Sequence, residues 1–260
     1  SELSNPDRGA PTQGGDIGSY NDFWFDRGSD GFSIDGQYPT SILTYPEDGR
    51  MPARTAEGQA KADVAPKFAW PERDGAWWLE TGDQPYDGPE NQTLGVRCIY
   101  QPPATIPIRP LVYNNLKTIV QTEDYLMLNI EWMHWSRIIR IDDKKHLSAT
   151  LATYDGDSIG WWEGDTLVVE TINFMDQPHQ PADRKVIERF RPNNGGGLVY
   201  SFEVEDADYT DSYSGEMIWP SSEQSNYEYA CHEGNHAMAG TLAGARVRER
   251  EHREQNGSED

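Results

Sequence analysis

From Lys117 onward the chain is a succession of short β-rich runs cut by turn signals, and this pattern restricts the fold more than any other feature. Residues 117–122 and 125–132 flank Glu123-Asp124 and predict a hairpin. Residues 137–141 form a further run, stopped by Asp142-Asp143. Residues 159–162 and 166–174 flank Glu163-Gly164-Asp165, and residues 185–191 and 198–205 flank the glycine-rich turn 193–197. Residues 214–219 and 227–232 complete about nine strands at 8–15 residue spacing. β-Branched and aromatic residues suit a pleated, half-buried surface, and Gly, Asn and Asp supply the turns. Such spacing predicts an all-β fold, read here as an antiparallel β-barrel of lipocalin or calycin type.

The flanks read differently. Residues 1–19 are Gly, Pro, Ser and Asp with almost nothing apolar, and predict a flexible leader. Residues 20–116 are irregular, with aromatic islands at 20–25, 68–70 and 77–79 that predict a wrap around a core built elsewhere. A short helix is expected within 52–62, and the four prolines in 101–110 exclude a central strand there. Beyond Gly234 the Ala-, Arg- and Glu-rich run predicts a C-terminal helix at 236–253. The expected organisation is one domain over 20–250, with the wrap at 20–116 and the barrel strands at 117–233.

Charge excludes several classes. Lys and Arg total 22 against 44 Asp and Glu, a net charge of −22, which repels phosphate backbones and anionic bilayers. Neither a nucleic-acid nor a membrane partner is expected, and no run approaches 18 apolar residues. Nine Trp, 13 Tyr and seven Phe still supply a core of aromatic character.

The two cysteines, Cys98 and Cys231, are too far apart for a zinc ribbon or a redox CxxC pair. They are read either as two buried thiols or as one disulfide, which requires an oxidising compartment. The chain opens at Ser1 with neither Met nor an apolar signal core, as in a mature chain after signal cleavage or a trimmed piece.

Two constellations carry possible chemistry. The run Glu131-Trp132-Met133-His134-Trp135-Ser136-Arg137 places a carboxylate, an imidazole and a guanidinium within seven residues. His134 is the expected proton carrier, Glu131 a carboxylate partner and Arg137 an anion stabiliser, provided a bend at Trp135-Ser136 lets them converge. The run His232-Glu233-Gly234-Asn235-His236 matches HExxH, a zinc-peptidase pattern that requires one continuous helix. Gly234 and Asn235 are poor helix formers, so the preferred reading is a strand-to-helix turn with Asn235 near the start of the last helix. His232 then serves as a second acid or base at a barrel rim, and no metal is expected. Five glutamates (131, 170, 188, 203 and 228) lie in or at the ends of predicted strands, where they face solvent or line a polar cavity. Glu188 is taken as a second carboxylate partner. Trp132, Trp135 and Trp161 supply an apolar wall for a ring, with Tyr113 and Asn115 at the mouth. Asp-rich turns, including Asp155-Gly156-Asp157, lack EF-hand spacing and read as solvated turns. Nucleotide loops and the serine-hydrolase elbow are absent, so no cofactor is expected.

Several segments together resemble a known group. They are 20–28 (YNDFWFDRG), 94–98 (LGVRC), 113–115 (YNN), 119–125 (IVQTEDY), 137–139 (RII), 162–171 (WEGDTLVVET), 188–190 (ERF) and 227–235 (YEYACHEGN). In this co-linear order they resemble a large group of bacterial β-rich proteins, mostly exported and without a settled reaction. The resemblance spans about residues 20–247 and implies a β-rich fold and a periplasmic or secreted location, without naming a chemistry. The functional expectation is a cofactor-independent lyase or isomerase that acts on a small aromatic or sugar-like molecule by His/Glu acid–base chemistry. The alternatives are a non-catalytic lipocalin-like binding protein and a metal-dependent hydrolase built on His232, Glu233 and His236.

Overall fold

A computed structural model describes residues 33–34, 36–65, 75–100, 106–111, 114–143, 145–177 and 180–257. The expected leader and the aromatic islands at 20–25 and 68–70 lie outside these residues. The contacts of the chain group into two compact units: Ser1–Ala60 with Pro102–Tyr229, and Lys61–Gln101 with Ala230–Asp260.

The first unit is a curled nine-stranded mixed sheet, a half-barrel. Its strands are β1 (Leu43–Tyr45), β2 (Lys117–Gln121), β3 (Tyr125–Ile130), β4 (Trp135–Ile141), β5 (Asp157–Glu163), β6 (Thr166–Ile172), β7 (Lys185–Pro192), β8 (Leu198–Glu205) and β9 (Tyr213–Trp219). The order across the sheet is β1-β9-β8-β7-β6-β5-β4-β3-β2, which leaves β1 and β2 at the edges.

Two expectations are corrected. The sheet is not wholly antiparallel: β4 and β5 run parallel, with Arg140 opposite Ile159 and Ile141 opposite Gly160. The connection over 142–156 returns the chain to the same end before β5 starts, and no two-residue turn can do that. The expected strand at 227–232 is irregular up to Ala230 and helical from Cys231. β1, from the region read as a wrap, joins the sheet beside β9.

Period-2 alternation decides which side chains turn inward. Leu126, Leu128 and Ile130 of β3 and Ile139 and Ile141 of β4 share a core with Leu167, Val169, Val186, Phe190, Tyr200, Phe202 and Val204. Phe202 lies opposite Gly215, and a Cβ at Gly215 would meet its ring at 2.4 Å, so a strand glycine gives the ring its space. Ile106 and Ile108, at most 1% exposed, belong to the same core. This part of the expected wrap therefore fills the inside of the half-barrel.

The second unit contains α2 (Trp77–Thr81), α3 (Cys231–Gly234) and α4 (His236–Asn256), while α1 (Ala56–Val64) straddles the boundary of the units. The indole N–H of the buried Trp78 donates to Glu249 Oε1 of α4 at 3.0 Å. Cys98 and Cys231 form a disulfide with Cα atoms 5.7 Å apart, which decides the open choice about the thiols. Among the described residues no helix is long and apolar enough to cross a membrane.

Candidate functional site

The half-barrel interior holds a short polar line. Arg137 of β4 is 3% exposed and Glu188 of β7 is fully buried; Arg137 Nη2 donates to Glu188 Oε2 at 2.6 Å. Between them lie three strand spacings, about 14 Å in a flat sheet. Curling of the sheet closes that distance, so the ion pair depends on the curvature. Tyr200 of β8 donates its hydroxyl to Glu188 Oε1 at 2.8 Å and accepts the Ile108 N–H at 2.9 Å. Burial, together with the Glu188 charge, pushes the Tyr200 phenol well above its ordinary value. Nε and Nη1 of Arg137 have no hydrogen-bond partner among the described residues.

Beside this line, Trp135 donates Nε1–H to Asp155 Oδ1 at 2.5 Å. Asp155 is half-buried, on the connection between β4 and β5. Burial raises its carboxyl to about 6, outweighing the Trp135 bond and the positive charge of Arg137.

An open cleft of about 730 Å³ is lined by Asn114, Lys117, Glu131, Leu198, Met217 and Trp219, among others. It lies between edge strand β2 and the end of β9 not covered by β1. Asn114, 3% exposed, has an Nδ2 without a hydrogen-bond partner among the described residues. The Lys117 ammonium sits 4.9 Å from the Trp219 ring centroid, and Trp219 stacks on Tyr200 at 4.4 Å. The cleft wall and the polar line thus meet at Tyr200.

The predicted residues scatter around these features. Glu131 is buried in the cleft wall, and its Oε1 accepts the Tyr227 N–H at 3.0 Å. Trp132 packs against the core with its ring 5.0 Å from Tyr229. His134 is exposed, and its Nδ1 donates to the Tyr229 carbonyl at 2.9 Å. No carboxylate is bonded to it among the described residues. The expected bend falls earlier than Trp135-Ser136, because Met133 and His134 take φ of 56° and 41° and turn the hairpin there. Non-glycine residues in that region store backbone strain. Asn115 lines the cleft and bonds the Leu111 N–H and carbonyl. Trp161 shares a face with Val168 and Glu170, the side away from the core, and bonds Glu163 at 2.9 Å, so it forms no interior wall. Tyr113 lies outside the described residues.

His232 belongs to the second unit and is exposed. The HExxH match is split between α3 and α4 at Asn235, whose side chain caps α4 by accepting the Met238 N–H at 3.3 Å. Without one continuous helix the two histidines lack zincin geometry. Among the described residues no group of three His, Cys, Asp or Glu can hold a metal ion.

On the outer face of the sheet lies a second charge network, which sequence reasoning missed. His146 Nδ1 bonds Asp157 at 2.8 Å and His146 Nε2 bonds Glu170 at 3.1 Å. Arg140 bonds Asp157 through Nη1 and Nη2, at 2.6 and 3.2 Å, and Lys185 pairs with Glu170 at 2.6 Å. Burial works to raise the Asp157 carboxyl, yet the bonds from Arg140, Leu147 N–H and His146 hold it below the usual range. The Lys185 bond, with help from His146, lowers Glu170 in the same way.

Comparison of the chain with protein-family models, with curated proteins and with solved structures finds no significant match.

Proposed function

We propose that the half-barrel is a small-molecule binding site of lipocalin-like kind, on a protein of the periplasm or the cell exterior. The observation that carries this reading is the cleft of about 730 Å³ with the buried Asn114 Nδ2, which has no partner among the described residues, in its wall. A concave site with apolar walls and a few oriented polar groups is the usual form of a ligand pocket. Leu198, Met217 and Trp219 supply apolar surface, while Asn114 and Lys117 supply donors. The disulfide fits an oxidising compartment, as does the resemblance to exported β-rich bacterial proteins. The fluorescent probe N-phenyl-1-naphthylamine tests the reading. It should bind one to one with a gain in emission, and Ser222→Trp, which narrows the cleft, should weaken it at least tenfold. Absence of binding, or binding indifferent to Ser222→Trp, would remove the support.

A second reading, a cofactor-independent lyase or isomerase, is favoured by one specific observation. Asp155, at about 6, is a carboxyl placed to exchange a proton near neutrality beside a buried arginine. In this reading Asp155 takes the role expected of His134, with Arg137 and Glu188 as its neighbours. Asp155→Asn should then abolish turnover of a bound substrate while leaving its affinity within a few-fold.

A further inference from the structure

The charge of Arg137 is already matched by Glu188, yet two of its donors are open. Nη2 donates to Glu188 at 2.6 Å, while Nε and Nη1 have no partner among the described residues. A buried donor without an acceptor carries its whole desolvation cost, so native structures rarely keep two on one side chain. Two residues earlier on the same strand face, Trp135 donates to Asp155 at 2.5 Å. Asp155 and Trp135 are partly exposed, whereas Arg137 and Glu188 are buried.

Charge accounting selects the kind of acceptor. Arg137 and Glu188 together are neutral, so a second anion would lose its hydration and meet no unmatched cation. The net charge of −22 also disfavours an approaching anion. An uncharged carbonyl brings an acceptor oxygen without these costs. Ionised Asp155 repels such an oxygen, whereas the protonated carboxyl donates an O–H to it.

We propose that Arg137 and Asp155 form a binding site for an uncharged carbonyl oxygen, with Asp155 taking up a proton as the ligand binds. The inference goes beyond the cleft, whose lining includes neither Arg137 nor Asp155, and rests on the small-molecule reading of the half-barrel. The proton moves from solvent to a carboxylate oxygen of Asp155, and no other bond changes. The groups acting on that carboxyl are Trp135 and Arg137, with Glu188 and Tyr200 behind Arg137.

The test is titration calorimetry of acetophenone on the full chain at pH 6, in two buffers of unlike ionisation heat. Asp155 is then about half ionised, so wild type should take up as much as about half a proton per ligand. Asp155→Asn, which keeps an acceptor for Trp135, should bind acetophenone with no proton uptake. Benzoate should bind wild type at least tenfold more weakly than acetophenone. Absence of acetophenone binding, absence of uptake in wild type, equal uptake in Asp155→Asn, or benzoate bound as tightly would each overturn the site. N-Phenyl-1-naphthylamine is run on the same samples. If it binds while acetophenone does not, only the carbonyl site is lost; if neither binds, the small-molecule reading fails as well.

Discussion

The same sheet carries two charge networks, one on each face, and they are built to different ends. On the outer face each ring nitrogen of His146 meets a carboxylate, Asp157 is held by Arg140, and Glu170 by Lys185. That network closes on itself and ties the connection between β4 and β5 to the sheet. On the inner face Arg137 and Glu188 are more deeply buried, yet two Arg137 donors have no partner among the described residues. A closed network at a partly exposed surface explains stability. An open one in the interior, next to a carboxyl that titrates near neutrality, has a cost that stability does not explain.

The largest effect that could break this comparison is removal of one inner partner. Glu188→Ala leaves Arg137 charged and unmatched in the core, and should cost about 3–5 kcal/mol in urea unfolding. A cost comparable to that of a surface substitution would mean that the inner pair is hydrated.

Next in size is a substitution expected to stabilise. The Asp155 carboxyl is raised in the folded chain above its unfolded value near 4, so folding favours its protonated form. Its contribution to stability is full below pH 4 and is lost as pH rises through about 6. Asp155→Asn should therefore add up to about 3 kcal/mol at pH 8 and little at pH 4, as read by unfolding at both values. Equal effects at the two pH values would remove Asp155 from the account.

The smallest effect belongs to the outer face. His146→Ala should cost about 1 kcal/mol, because its partners keep Arg140 and Lys185 and the cluster is partly solvated. Asp157 and Glu170 have lowered folded values, so their stabilisation is full above about pH 5 and fades as the pH falls further. Acid unfolding followed by circular dichroism should lose part of this dependence in His146→Ala. A cost as large as that of Glu188→Ala would put the two faces on the same footing.

Local rules made much of the sheet legible. β8 spans the residues that alternation marks, and Gly164, at φ +66°, provides the turn expected between β5 and β6. The inward orientation of Glu188 was also readable, since Val186 and Phe190 flank it on the apolar face of β7. Glu203, between Ser201 and Glu205, lies on the other face of β8 and is exposed. The parallel step from β4 to β5 was not legible, because 142–156 is an irregular excursion without a helix to announce a crossover. The open donors of Arg137 were not legible either. They depend on which group the curl of the sheet brings within reach, and no local pattern encodes that. Asp155 looked like an ordinary turn residue, and its shift comes from burial beside Trp135.

The most direct measurement compares the two faces in one spectrum, through the side-chain Nε–H resonances of arginine. Arg137 Nε has no partner among the described residues, whereas Arg140 Nε is bonded to Asp143 at 2.8 Å. Added acetophenone should shift the Arg137 resonance and leave that of Arg140 in place. An Arg137 resonance that stays put at saturating ligand, or moves no more than that of Arg140, would contradict the account.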